Sequence, residues 1–205
     1  MKELLIGTTN PSKLRRMTEL LSGTGVICRS PAELDLACDA PETASNAAGN
    51  ALQKALAWHA ACGLPVYAED SGLVFLDLPR DHPDQPGVHV RRFNGETMDD
   101  MTMRDHFRAL AHKHGGALHS AWQSAHCLLA SPDDYAVFAD DEMLLRKHAF
   151  VLTDQIHAEI TPGWPLECLK GDSGKVVSEA DRAAYWDYVQ SWLHAWVNTH
   201  KQTSV

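Results

Sequence analysis

Val66-Tyr67-Ala68-Glu69-Asp70-Ser71-Gly72-Leu73 is the stretch that decides how this chain is read. The run Leu64 to Ala68 is apolar and follows the Gly63-Leu64-Pro65 break, so a buried strand is expected there. Two adjacent carboxylates come next, then Ser71-Gly72, which reads as a turn, then a second apolar run from Leu73 to Leu78. Neighbouring side chains on a strand point to opposite faces, so Glu69 and Asp70 share one cleft only if the strand ends or twists after them. Two acids at the mouth of a sheet are costly unless a cation lies beside them. A divalent metal is one such partner. A solvated strand end with two surface acids is the plain alternative.

Upstream, Glu3 to Gly7 reads as a short first strand. Thr8-Thr9-Asn10-Pro11-Ser12-Lys13 then opens a helix, with Asn10 as N-cap and Pro11 at the first helical position. Unpaired helix N-terminal amides with Thr8, Asn10, Ser12 and Lys13 make a plausible anion site. Val26 to Arg29 is a second strand. A helix is expected from about Ser45 to Ala61, stopped by Gly63. Asn46, Asn50 and Lys54 stand four apart on it and share one face, either its wet side or the flank of the acidic strand.

The chain has 205 residues and a net charge of −9, enough for a sizeable core in one domain or two closely joined lobes. It holds no basic tract, which argues against a nucleic-acid surface, and no apolar run long enough to span a membrane. Cysteines 28, 38, 62, 127 and 168 are odd in number with no C-x-x-C spacing, as expected of free thiols in a reducing compartment. The opening residues do not read as a signal peptide, so a cytoplasmic location is expected. The twelve histidines are scattered. His59 with Cys62, and His106, His112 and His114, lack zinc spacing and are given no metal role.

Further on, Pro79 to Gly87 reads as a loop. Met103, Phe107, Leu110 and Ala111 mark a helix ending at Gly115-Gly116. Leu118 to Ala130, Tyr135 to Ala139, Met143 to Leu152 and His157 to Ile160 read as strands. A last helix starts at Ser178, with Asp181 in a capping box and an apolar stripe of Tyr185, Tyr188, Val189, Trp192 and Trp196. The order of elements reads as α/β with a mixed sheet.

Several ordered motifs resemble the Ham1-like inosine/xanthosine triphosphate pyrophosphatases. Thr8-Thr9-Asn10-Pro11-Ser12-Lys13 is similar to the family's T-x-N-x-x-K motif. Glu42-Thr43, Asn50-Ala51 and Lys54-Ala55 resemble its E-T…E-N-A-x-x-K-A segment. Gly63-Leu64-Pro65-Val66 into Ala68 to Leu73 resembles G-L-P-x-x-A-[DE]-D-S-G-L, the most specific of the set. Pro86-Gly87-Val88, Arg92-Phe93 and Gly95-Glu96 are similar to P-G-x-x-S-A-R-[YF]-x-G-E.

The resemblance implies an elongated two-lobed α/β fold around a mixed central β-sheet with flanking helices. It implies one domain over residues 1–205, a central cleft and a homodimer. It also implies a nucleoside triphosphate substrate and Mg2+, with water attacking the α-phosphorus to release pyrophosphate and a monophosphate. Carried over, Asp70 is the catalytic carboxylate, as base or metal ligand, with Glu69 beside it as catalytic group and metal ligand. Thr8, Thr9, Asn10, Lys13, Lys54, Ser71 and Gly72 go to the phosphates, and Asn50 and Arg92 to the nucleotide.

The chain also departs from the family. Gly49 stands where the family has the E-N-A glutamate, a metal ligand, and Val90-Arg91 replace Ser-Ala. The late G-x-G-Y-D-P-x-F and S-H-R motifs are not recognisable. Gly163-Trp164-Pro165 is read as a remnant of the first, and Tyr185-Trp186-Asp187-Tyr188 stands where the second belongs. A catalytically silent nucleotide-binding relative is therefore the second reading.

Overall fold

The computed structural model describes residues 1–93, 95–171 and 178–201. Strands β1 (Glu3–Ile6), β2 (Ile27–Arg29), β3 (Val66–Phe75), β6 (Ala117–Ser131), β7 (Asp134–Ala139) and β8 (Phe150–Thr153) form one sheet. Its order is β2-β1-β3-β6-β7, with β8 also paired to β6. β1 runs parallel to β2 and β3, and β6 antiparallel to β7 and β8, so the sheet is mixed. A small antiparallel pair joins β4 (Arg92–Phe93) to β5 (Glu96–Thr97). The helices are α1 (Pro11–Leu20), α2 (Ala47–Cys62), α3 (Asp100–Lys113), α4 (Glu142–Lys147) and α5 (Glu179–Lys201).

The chain divides into two compact units. The first comprises Met1–Ser71, Ser124–Ala139 and Ala184–Val205. Its core contains Leu4, Leu5 and Ile6 of β1, Met17 and Leu20 of α1, Trp58 of α2, and Tyr67 of β3. Asn10 caps α1 as expected, and Gly63 ends α2 at φ 69°. Asn46 is the N-cap of α2 and accepts the Gly49 N–H, so it stands at the helix start and does not share the face of Asn50 and Lys54. Ser178 takes the Asp181 N–H at 3.1 Å, and its hydroxyl donates to the Asp181 carboxylate at 2.6 Å, which makes the expected start of α5. The buried stripe of α5 is Tyr185, Val189, Leu193 and Val197, while Tyr188 is exposed. Trp192 and Trp196, expected in that stripe, are half-buried at its margin, and a four-residue repeat of Tyr185, Val189, Leu193 and Val197 takes the core side.

The second unit comprises Gly72–Gln123 and Asp140–Ala183. Its core gathers Leu73, Phe75, Met103, Phe107, Leu118, Leu152 and Leu169, among others. Phe75 and Phe107 meet edge to face at 6.1 Å.

Three expectations need correction. Ser71-Gly72 is not a turn, because β3 continues through both residues to Phe75. Gly72 is needed for close approach instead. The Gly87 carbonyl accepts the Leu73 N–H at 2.9 Å, and a Cβ at residue 72 would come within 2.7 Å of the same oxygen.

The segment read as a strand from Met143 to Leu152 is α4 followed by β8. Asp141 caps α4 by accepting the Leu144 N–H, Glu142 stands in its first turn, and Arg146 and Lys147 stand in its last. His157 to Ile160 forms no strand. His157, Ala158 and Glu159 are exposed, and Ile160 alone of the four packs on the core of the second unit, so the segment lies on the surface as loop.

Gly72→Ala is expected to destabilise the protein by about 1–3 kcal/mol through overpacking against Gly87. Urea denaturation measures this, and a loss under about 0.5 kcal/mol would contradict the close-approach account.

Candidate active site

The alternation of β3 decides the site. Because the strand continues, Glu69 and Asp70 face opposite sides and meet different helices. Both are almost fully buried. On one side, Arg16 Nη2 of α1 donates to both Glu69 carboxylate oxygens, at 2.7 and 2.8 Å. Lys13 Nζ of the same helix lies 3.8 Å from Glu69 and donates to Ser71 Oγ at 3.4 Å. On the other side, Lys54 Nζ of α2 donates to Asp70 Oδ1 at 2.6 Å, and Asn50 Nδ2 donates to Asp70 Oδ2 at 3.1 Å. Lys54 also pairs with Glu42 at 2.7 Å.

Behind Glu69, the buried Tyr67 hydroxyl and His126 Nδ1 share a hydrogen bond of 2.8 Å. The Arg16 guanidinium lies 5.0 Å from the centre of the Trp186 ring.

The turn before α1 is built around Asn10. Its Oδ1 accepts the N–H groups of Ser12 and Lys13, its carbonyl accepts that of Leu14, and its own N–H donates to Thr8 Oγ1. Pro11 has no N–H. The first-turn amides are thus satisfied from within, and Lys13 is the main positive group that this turn offers an anion. Thr9 is exposed.

Glu42 is held by the packing of its loop on α2. Thr43 N–H donates to Gln53 Oε1 at 3.0 Å, and Ala44 N–H donates to Asn50 Oδ1 at 2.9 Å. A Cβ at Gly49 would come within 2.5 Å of the Ala44 Cβ. A bare glycine therefore lets the loop lie flat on α2 and deliver Glu42 to Lys54.

Burial pushes the Glu69 carboxyl up, but the charges of Lys13, Arg16 and His126 overcome it and hold the group at about 2. Burial pulls Lys13 down. The attraction of Glu69 and Asp70 does not restore it, and the like charge of Lys54 lowers it further. Burial also opposes the charge on Lys54, yet Asp70 and Glu42 prevail and raise its pKa. Lys13 is thus a cation short of negative charge, and an added anion would relieve it.

Among the expected site residues, the structure groups Lys13, Glu69 and Ser71 on the α1 side of β3 and Asn50, Lys54 and Asp70 on its α2 side, all in the first unit, with Lys13 near enough to Lys54 and Asp70 to feel their charges. Thr8 and Asn10 serve the turn that carries Lys13. Gly72 packs on Gly87, and Arg92 is exposed on β4 in the second unit. Arg16 was missed. It stands three residues after Lys13, on the same helix face, and that spacing was a usable signal. Tyr67, His126 and Trp186 had no local signal, since they meet only through the fold.

The Ham1 family profile matches residues 4–145, and the chain belongs to the Ham1 family. Over 112 residues it is 39% identical to a dITP/XTP pyrophosphatase of Porphyromonas gingivalis, covering 54% of this chain and 55% of that protein. Over 130 residues it is 36% identical to a dITP/XTP pyrophosphatase of Geobacillus kaustophilus, covering 63% and 61%. The chain thus spans about half to three-fifths of the length of these curated relatives. The fold matches that of a HAM1 protein from Coxiella burnetii, with TM-score 0.66 and 19% identity, over 94% of this chain and 98% of that one. It also matches the Staphylococcus aureus Ham1 protein, with TM-score 0.62 and 20% identity, over 95% and 99%.

Glu69 sits below its ordinary value of 4.5, so its ionised form stabilises the fold above that pH, and this contribution is lost as pH falls from 4.5 towards about 2. Glu69→Gln is expected to cost roughly 3 kcal/mol at neutral pH, with the gap to the parent protein closing across that acid window. Chemical denaturation at a series of pH values checks this. A gap independent of pH would remove the charge account.

Proposed function

We propose that this chain is a nucleoside triphosphate pyrophosphohydrolase that converts deaminated purine nucleotides to the monophosphate and pyrophosphate. The observation that carries the reading is the cluster at β3, where Lys13, Arg16 and Lys54 meet Glu42, Glu69 and Asp70 within one unit. The curated relatives named dITP/XTP pyrophosphatase supply the substrate class.

Lys13 and Lys54 hold the phosphate chain, and Ser71 Oγ adds a hydrogen bond at the strand. Hydrolysis of a phosphoanhydride is largely positioning plus charge stabilisation, so two amines placed by separate helices supply much of what it requires. Asp70 takes the proton of the attacking water. The water oxygen bonds to the α-phosphorus, the bond from that phosphorus to the bridging oxygen breaks, and pyrophosphate leaves with the electron pair. Asn50 fixes the Asp70 carboxylate. Glu69 anchors Arg16 and sets the charge around Lys13.

The donor set fits Mg2+. Carboxylate oxygens of Asp70 and Glu42 already converge on one cationic centre, Lys54 Nζ, at 2.6 and 2.7 Å, and Mg2+ prefers one or two carboxylates with substrate oxygens. Held by these two carboxylates, with the Lys54 ammonium moved off them onto the phosphate, Mg2+ would neutralise phosphate charge. Glu69 is engaged by Arg16 and so is the poorer candidate ligand of the adjacent pair.

The reading extends to a cytoplasmic homodimer. All five cysteines are free, no helix among the described residues is long and apolar enough to cross a membrane, and Tyr135 and Tyr188 leave apolar surface on the first unit.

The test is pyrophosphate release from a panel of deaminated and ordinary nucleoside triphosphates with Mg2+. Deaminated purines are expected to be preferred, and Asp70→Asn to lower kcat/KM by about 100-fold or more. Release from no substrate would overturn the enzyme reading in favour of a nucleotide-binding relative. Gly49→Glu is expected to displace the 42–46 loop and raise the Mg2+ concentration needed for half-maximal rate.

A further inference from the structure

The second unit contains a group of side chains that the β3 site does not use. The loop from Pro79 to Gly87 brings His82 and Asp84 against His114, the residue that ends α3. One potential ligand atom from each lies within 4.8 Å of the other two. Asp84 Oδ2 is 2.7 Å from His114 Nε2 and 4.0 Å from His82 Nδ1. The two imidazole rings meet edge to face at 5.5 Å. All three side chains are largely shielded, with 14–30% of their surface exposed.

The scaffold is fixed from both sides. Gln85 accepts the Phe75 N–H and donates to the carbonyls of Phe75, Leu78 and Pro79, so its neighbour Asp84 has a defined place. His114 follows the last turn of α3, and its N–H is taken by Leu110 and Ala111.

We propose that His82, Asp84 and His114 bind a divalent transition metal of the zinc class, with solvent in the fourth position. Two imidazoles and one carboxylate are a donor set suited to zinc, and tetrahedral coordination places ligand atoms about 3.3 Å apart. The observed spacings of 2.7 and 4.0 Å bracket that value, so small side-chain movements complete the site.

Binding exchanges three existing contacts. The His114 Nε2–Asp84 Oδ2 hydrogen bond at 2.7 Å gives way to coordination, with the ring proton carried on Nδ1 instead. Lys113 Nζ, now 2.7 Å from Asp84 Oδ2, must withdraw, and its side chain is exposed enough to do so. The bond from Asp84 N–H to His82 Nδ1, at 3.1 Å, is given up where that nitrogen ligates. Sequence spacing hides this site, because one ligand follows the other two by about thirty residues and a helix. It shares no residue with the Lys13–Asp70 network. The bound metal would tie the 79–87 loop to the end of α3.

The test uses the full chain, stripped of metal by a chelator and titrated with Co2+ while visible absorption is followed, then with competing Zn2+. The expected result is uptake of one Co2+ with the absorption bands of a tetrahedral site, displaced by Zn2+ and unaffected by Asp70→Asn. His82→Gln and His114→Gln are each expected to weaken uptake at least tenfold, at roughly the level seen for removal of a ligand or its support. Lys113→Ala alters only an exposed side chain, leaves the fold intact and should tighten binding by removing the competing ammonium. Absent bands, bands that persist in both histidine variants, unchanged affinity in Lys113→Ala, or thiolate bands that place the metal on a cysteine would each overturn the proposal.

Discussion

Two buried carboxylates in succession on one strand impose a demand that this fold must meet. Glu69 and Asp70 cannot both be neutralised from one side, because the pleat of β3 sends them to opposite faces. α1 answers one with Arg16 and Lys13, and α2 answers the other with Lys54 and Asn50. An uncompensated buried charge would cost several kcal/mol, so the two helices must dock in register with the strand. The same requirement gathers amines and acids beside one another, which is the chemistry a phosphate chain and a divalent cation need.

Charge is unevenly satisfied within that network. Glu69 has a guanidinium close on both oxygens, and Lys54 has two carboxylates. Among the described residues, Lys13 has the more distant Glu69 and the Ser71 hydroxyl. Burial without a tight partner leaves it ready for an anion, and its position at the start of α1 comes from the Asn10 cap rather than from free amides. Gly49 plays an opposite part on α2. The carboxylate of the family pattern is absent there, and the room it leaves is filled by the loop that brings Glu42 to Lys54.

Much of this was legible in the sequence. The apolar run before Glu69, the Asn-Pro helix start and the Asn50/Lys54 spacing all carry their physics locally, so the strand, the cap and the α2 face could be read directly. The path of the chain after Asp70 could not. A glycine permits a turn and a close backbone approach equally well, and only the tertiary position of Gly87 decides between them. The same limit applies to α4, where Met143-Leu144-Leu145 is too short for its period to show and the cap at Asp141 settles the matter. Tyr67 with His126, Arg16 with Trp186, and His82 with His114 are encounters of residues distant in sequence, which no local pattern encodes.

In the proposed reaction two amines, carried to the middle of β3 by different helices, grip the same phosphate chain. Calorimetric binding of imidodiphosphate, a non-hydrolysable pyrophosphate analogue, to Lys13→Ala, Lys54→Ala and the double variant tests it most directly. Each single change should weaken binding about tenfold or more, and the double loss should depart from additivity by about 0.5–3 kcal/mol, as expected for groups sharing one ligand. Undiminished affinity in either single variant, or strictly additive losses, would contradict it.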